Sequence, residues 1–266
     1  MNKKIISIQS TVLNNLVGNQ AARYILMPRK YEFYEIPTII LTSHKAIKNS
    51  LDIPMSKLNP WIIFKNLKNI YNLSKNDLTI VGYLPDEKST YSIDKILKIQ
   101  KNILLDPVMG DVGIGLYVPS DVADYFKKIA SQAKYLSANF FEWSYLNNQD
   151  YKNYQILEVF SDIQSFSKKN KSILLIRSVP FKKKLMNIIC SPSKIYFIET
   201  PNLNFSQRVH GAGDLTTALF ADQISKNYSE KKILENVTND IYRILHSKKM
   251  NDKKVFRFKA RNLNSL

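Results

Sequence analysis

A single cysteine, Cys190, stands in 266 residues, which excludes an internal disulfide and a multi-cysteine metal centre. The plain reading of that residue is a small buried side chain in a strand. Glycine (7) and proline (10) are sparse and scattered. No low-complexity linker divides the chain, so one domain over 1–266 is expected. No apolar run reaches the length that spans a membrane. Met1-Asn2-Lys3-Lys4 leads into a strand-like run, without the longer apolar segment and cleavage site of a secretory leader. A cytoplasmic protein is expected. No Gly-x-x-x-x-Gly-Lys-Ser/Thr sequence occurs, which excludes a Walker-type phosphate loop.

Acid is also in short supply: 22 Asp and Glu against 39 Lys and Arg give a formal net charge of +17. Such an excess suggests nucleic acid. The lysines, however, are scattered in short groups such as Lys182-Lys183-Lys184, Lys231-Lys232 and Lys253-Lys254, and no DNA- or RNA-binding module accompanies them. The expectation is a solvated basic surface suited to an anionic small molecule, with no specific nucleic-acid partner and no membrane partner. The basic tail, 248–266, receives no assigned element.

Apolar runs alternate with helical patterns. Lys4 to Gln9, Glu35 to Leu41, Leu78 to Val81, Ile103 to Leu105, Tyr135 to Ser137 and Ile173 to Ile176 read as strands. Helices are expected from Gly18-Asn19-Gln20 through Ile25 and from Pro60 through Ile70. Others are expected over Ser92 to Lys101, Asp121 to Ile129, Gln155 to Lys168, Asp214 to Lys226 and Glu230 to His246. Leu185 to Cys190 and Ile195 to Ile198, around Ser191-Pro192-Ser193, read as an antiparallel hairpin at the sheet edge. The alternation predicts an α/β fold, a mostly parallel sheet with helices on both faces. Ser10, Thr42, Tyr83, Asp106, Asn139 and Arg177 each follow an apolar run, and open α/β sheets bind ligands beyond the carboxyl ends of their strands. For any one of these residues the alternative is an ordinary turn position.

Three stretches carry chemistry. Gly211-Ala212-Gly213-Asp214 precedes the helical pattern of Leu215, Ala218 and Leu219, with Asp222 expected to face outward. A helix beginning at such a turn offers its first N–H groups to an anion. Asp214 at the lip is placed to take a proton from an attacking hydroxyl, although the same pattern also suits an ordinary helix cap. Asp106-Pro107-Val108-Met109-Gly110-Asp111 leads through Gly113 and Gly115 to Tyr117. Its carboxylates suit Mg²⁺, and its glycines suit a closing flap. Asn139-Phe140-Phe141-Glu142 adds an amide and a third carboxylate. Together these form a phosphoryl-transfer set. His44 reads equally as a substrate ligand or a loop residue, His210 as structural, and His246 as a solvated helix-end residue.

The Gly-x-Gly-Asp turn and the Asn-x-x-Glu segment resemble those of the ribokinase-like superfamily of small-molecule kinases. Within it the chain is similar to the pyridoxal (vitamin B6) kinases, through Ile8-Gln9-Ser10, Val17-Gly18-Asn19-Gln20-Ala21-Ala22, Gly82-Tyr83, Asp106 to Asp111 and Gly115-Leu116-Tyr117-Val118. The resemblance covers Lys4 to about His246. It implies a three-layer α/β/α sandwich, a homodimer, and the use of ATP and Mg²⁺ to phosphorylate the 5′-hydroxyl of pyridoxal, pyridoxine or pyridoxamine. By the same resemblance Asp214 would be the catalytic base. Ser10 would touch the pyridoxal ring, and Lys45 and Ala46 would border it. Asp106 would meet the phosphates or the metal. Ser137, Arg177, Glu142 and the Gly211-Ala212-Gly213 turn would bind ATP, with Tyr117 and Glu142 at the metal. The chain departs from the family in its substrate loops. Asn14-Asn15-Leu16 replaces a usual Tyr-Gly, and Lys45-Ala46 stands where an aromatic or His often meets the ring. Two other readings compete with this one: a hydroxymethylpyrimidine kinase, whose members tend to carry Cys where Asp214 stands, and a non-catalytic B6- or nucleotide-binding relative.

Overall fold

The run Lys4–Val12 forms strand β1, buried on both faces, as a strand covered by helices on two sides must be. In the computed structural model, residues 3–44, 50–53, 59–203, 205, 209–250 and 258–263 are described. After β1 come α1 (Asn19–Leu26), β2 (Glu32–Leu41), β3 (Asp52–Ile53), α2 (Pro60–Tyr71), β4 (Leu78–Val81), α3 (Glu87–Leu97) and β5 (Ile103–Leu105). A small ribbon of β6 (Gly110–Asp111) and β7 (Gly115–Leu116) follows. Then come α4 (Ser120–Ala130), β8 (Tyr135–Asn139), α5 (Phe140–Leu146), α6 (Ile156–Asn170) and β9 (Ile173–Phe181). β10 (Lys184–Cys190), β11 (Ile195–Pro201), α7 (Ala212–Ser225), α8 (Glu230–Met250) and β12 (Arg261–Asn262) complete the order.

The main sheet runs β12-β11-β10-β9-β8-β5-β4-β1-β2-β3. From β2 to β9 every neighbouring pair is parallel. One core packs α2 to α6 on one face, around Phe64, Phe126, Trp143 and Phe160. A second packs α1, α7 and α8 on the other, around Ala22, Leu219, Phe220 and Val237. This is the three-layer α/β/α arrangement. The chain leaves β1 for β2 on one side and returns to β4 on the other, so the strand order switches at β1. Ligand crevices form at such points.

Several boundaries differ from the sequence reading, each for a local reason. Helix α3 begins at Glu87, five residues before the expected Ser92, because Asp86 accepts from the Ser89 amide and caps it. Strand β9 does not end at the expected Ile176 but continues to Phe181 and pairs antiparallel with β10, so the expected edge hairpin is part of a longer meander. In the tail, Arg261–Asn262 adds β12 to β11, and Phe258 and Ala260 pack on the second core. Helix α8 runs past His246 to Met250. Asp222, expected to face outward, is fully buried. Arg29 and Lys226 meet its carboxylate at 3.3 and 2.8 Å, and Tyr31 donates to it. Cys190 is buried in β10, and burial raises its thiol to about 11. Among the described residues no helix is long and apolar enough to cross a membrane.

Candidate active site

A cavity of about 780 Å³ opens along the carboxyl ends of the parallel strands. Ser10, Tyr83, Asp106, Asn139 and Arg177 all line it. Thr42, the sixth of the residues that follow strands, is instead occupied in local pairing with Leu51. The Gly211–Asp214 turn forms the floor between the cavity's two ends. At one end stand Ser10, Val12, Leu41, His44 and Tyr83; at the other, Leu185, Asn187, Thr238, Ile241 and Tyr242.

Two glycines permit the floor. Gly18 has φ +57°, and a Cβ there would sit 2.1 Å from the Ser10 carbonyl oxygen. Gly211, the N-cap of α7, has φ +84°, and its Cβ would sit 1.9 Å from the Leu16 carbonyl oxygen. Only glycine allows this left-handed backbone and this approach of chain to chain. Among the described residues no side chain caps the start of α7, and the first amides of a helix have no acceptor within it. The turn therefore presents N–H groups and the positive end of α7 to the cavity.

Asp214 lies in the first turn of α7 and faces the same space. Burial, then the charge of Asp106, pushes its carboxyl up to about 7. A hydrogen bond from the Gly18 amide and the nearby Arg177 oppose that rise. A base with a pKa near neutrality is well matched to abstracting a hydroxyl proton.

Behind Asp214 a buried network fixes the charges. Asp106 is 1% exposed, and both its oxygens are taken. Arg177 Nη2 donates to Oδ1 at 3.0 Å, and the Thr217 hydroxyl donates to Oδ2 at 2.6 Å. Thr217 Oγ1 lies 2.9 Å from Ser137 Oγ. One hydroxyl has one proton, so Ser137 is the donor there. Burial raises the Asp106 carboxyl, against the pull of Arg177.

Asn139 and Glu142 cap α5 reciprocally: the Glu142 amide donates to Asn139 Oδ1 at 2.9 Å, and the Asn139 amide donates to Glu142 Oε2 at 2.7 Å. Asn139 Nδ2 also holds the Gly110 carbonyl of the β6–β7 ribbon at 2.9 Å. Glu142 Oε2 lies 3.6 Å from Arg177 Nη2. Burial holds its carboxyl well above the usual range, with Arg177 opposing. Tyr117, beyond the ribbon, lines the cavity. Although the residue is half-exposed, desolvation of its hydroxyl first, then Glu142, Asp214, Asp106 and Asp111, raise its phenol well above the ordinary value.

The expected residues thus converge, with two differences. Ser137, expected at the nucleotide, is fully buried and supports Thr217 from behind, because its strand turns that side chain under α7. Lys45 and Ala46 lie outside the described residues. His44 and His210 stack at 3.8 Å on the cavity wall, so His210 borders the site. Sequence reasoning missed Thr217, although a polar side chain three residues after Asp214 shares its helix face. It also missed the lining from β10 and α8, whose apolar residues read as core.

A sequence model of the phosphomethylpyrimidine kinase family matches residues 37–254. The pyridoxal kinase of Histophilus somni is 27% identical over 259 residues, which cover 92% of this chain and 90% of that protein. The crystal structure of pyridoxal kinase from Entamoeba histolytica superposes with a TM-score of 0.82 at 19% identity, over 99% of this chain and 100% of that one. The structure of Plasmodium falciparum PdxK with AMP-PNP and PL gives a TM-score of 0.83 at 20% identity, with the same coverage.

Proposed function

The chain belongs to the phosphomethylpyrimidine kinase family, and from that premise we propose that it is an ATP-dependent pyridoxal kinase forming pyridoxal 5′-phosphate. The curated relative from Histophilus somni carries that name, and the Plasmodium structure holds an ATP analogue. The observation that carries the reading is Asp214, raised to about 7 at the N-terminus of α7, between the two ends of one cavity.

The vitamer lies at the Ser10–Tyr83 end, with the Ser10 hydroxyl at the ring edge. The nucleotide base lies between β10 and α8, against Leu185, Ile241 and Tyr242. Its phosphates rest on the Gly211-Ala212-Gly213 amides. The 5′-hydroxyl oxygen attacks the γ-phosphorus, the bond to the β–γ bridging oxygen breaks, ADP leaves, and Asp214 takes the hydroxyl proton. The positive end of α7 steadies the charge that gathers on the phosphoryl oxygens.

Among the described residues no three His, Cys, Asp or Glu side chains form a protein-only metal cage. Mg²⁺ commonly binds through one or two carboxylates plus substrate phosphates, and that arrangement fits Glu142, whose Oε1 makes no hydrogen bond among the described residues. Mg²⁺ on the phosphates would supply charge neutralisation. Tyr117, protonated, would close over it as a hydrogen-bond donor. The proposal extends to one domain over 1–266, a cytoplasmic setting and a homodimer, for which exposed Leu13, Leu16 and Leu51 offer apolar surface. The family's description names a phosphomethylpyrimidine, and a hydroxymethylpyrimidine is therefore the second ring compound to test. Coupled measurement of ADP release with each ring compound tests the reading, and turnover confined to the pyrimidine would overturn it.

A further inference from the structure

We propose that Asn19 is a positioning residue for the transfer: it ties the start of α1 to β1 on both sides of Ser10, and so holds the Gly18 amide on the Asp214 carboxylate and keeps that base in register with the vitamer hydroxyl. The inference rests on the kinase reading above. Asn19 is fully buried and does not line the cavity. It is the first residue of α1, and asparagine at a helix start ordinarily bonds the backbone of its own helix. Here the side chain leaves the helix and meets β1 three times. Nδ2 donates to the Gln9 carbonyl and to Thr11 Oγ1, both at 3.0 Å, and Oδ1 accepts from the Ser7 hydroxyl at 2.7 Å. Gln9 Nε2 donates in turn to Ser7 Oγ at 2.9 Å. A buried polar network with every member paired fixes one geometry.

The two bonds that Asn19 donates flank Ser10. At that residue β1 changes register against β2: Gln9 faces Pro37, but Thr11 faces Ile40. Irregularities of this kind re-aim a side chain, and the residue between is Ser10, which lines the cavity. Gly18 lies against it. A Cβ on Gly18 would stand 2.1 Å from the Ser10 carbonyl oxygen and 2.6 Å from Ser10 Oγ, and Gly18 bridges to Thr11. On its other side Gly18 gives its amide to Asp214. Gly18 therefore stands between the serine at the ring edge and the base, and it has no side chain with which to hold that place. Asn19, the next residue, supplies the anchor. Docking of α1 alone does not call for it, because Ala21, Ala22, Ile25 and Leu26 already pack that helix on the second core.

Loss of the anchor has a definite sign. A hydrogen bond to a carboxylate favours its charged form, so without the Gly18 amide Asp214 keeps its proton to higher pH. The other groups that face it, Asp106, Arg177 and Tyr117, belong to other elements and keep their places.

The test compares wild type, Asn19→Ala, Thr11→Val and, as a control, Ile25→Val, which trims the apolar face of α1 about two turns beyond Gly18. Three quantities are read. They are the pH profile of kcat with pyridoxal, AMP-PNP affinity by titration calorimetry, and the titration of the Asp214 carboxyl by carbon NMR, with its signal identified by loss in Asp214→Asn. Asn19→Ala should lower kcat roughly 10–100-fold at about pH 7, with AMP-PNP affinity changed less than about threefold. Its Asp214 carboxyl, and the rising limb of its rate, should titrate about one pH unit higher, the worth of one hydrogen bond to a charged group. Thr11→Val removes one of the two acceptors. It should show the same displacement at about half the size, and it carries the test if Asn19→Ala does not fold. Ile25→Val should lower Tm and leave the titration where it was. A folded Asn19→Ala that titrates like wild type, or an equal displacement in Ile25→Val, would overturn the proposal. The carbon titration involves no substrate. A wild type inert on every ring compound, whose carboxyl still moves when Asn19 is replaced, refutes the kinase reading alone.

Discussion

Replacing Asp214 by Asn separates the charge of that residue from its shape. Its carboxyl is raised from 3.8 to about 7, chiefly by burial. About three pKa units correspond to at most about 4 kcal/mol. The sign follows from proton counting. Between about pH 4 and 7 the folded state holds a proton that the unfolded state has released, so stability falls as pH rises through that window. Above it the folded protein carries a buried anion. Asp214 is partly open to the cavity, so solvent reduces the effect to about 1–2 kcal/mol. Asn keeps the oxygen that accepts from the Gly18 amide and removes the charge. Asp214→Asn should therefore melt roughly 2–8 °C above wild type at about pH 8, and much closer to it at about pH 4.5. Its kcat should fall by roughly 10²–10⁴, with AMP-PNP binding nearly intact. The wild-type rate should rise with pH through about 7, as the base loses its proton. Melting curves at the two pH values, with turnover on the same samples, decide the matter. A gain in Tm that is equal at both values, or turnover near wild type, would refute this reasoning.

Glu142→Gln retains the oxygen that accepts from the Asn139 amide, so α5 should stay capped and Tm should move little. A Mg²⁺ titration of the rate should shift to higher concentration, and an unchanged curve would leave Glu142 as a helix cap only. Gly211→Ala forces a side chain into left-handed backbone, costing roughly 1–2 kcal/mol, and drives its Cβ towards the Leu16 carbonyl. It should lower both Tm and ATP affinity, and a variant with wild-type nucleotide binding would mean the turn does not cradle phosphate. Ala46→His should lower the KM for pyridoxal several-fold with kcat little changed, because a ring contact is worth about 0.5–1.5 kcal/mol. An unchanged KM would place that loop away from the ring.

The parallel half of the fold was legible because its strands are continuous apolar runs punctuated by Ser10, Asp106 and Asn139. The positions of Asp106 and Arg177 in one cavity followed from the rule that ligands gather at strand ends, and that of Asp214 from the Gly211-Ala212-Gly213 turn that opens α7. What escaped was encoded by single side chains or by distant pairing. The start of α3 depends on Asp86 alone. The extension of β9 to Phe181 depends on a partner strand, β10, that its own sequence does not announce. Asp222 looked exposed by helical spacing. Its burial depends on Arg29 and Tyr31, nearly two hundred residues earlier. Thr217, and the support that Ser137 gives it, were hidden for a similar reason, since that link joins α7 to β8.

The central claim is that this cavity transfers the γ-phosphate of ATP to a vitamer hydroxyl through Asp214. Its most direct test is ADP release by wild type and Asp214→Asn, with pyridoxal, pyridoxine and hydroxymethylpyrimidine supplied in parallel. The account predicts pyridoxal 5′-phosphate from wild type and a fall of roughly 10²–10⁴ in the variant. ADP release with hydroxymethylpyrimidine alone, or equal rates from the two proteins, would contradict it.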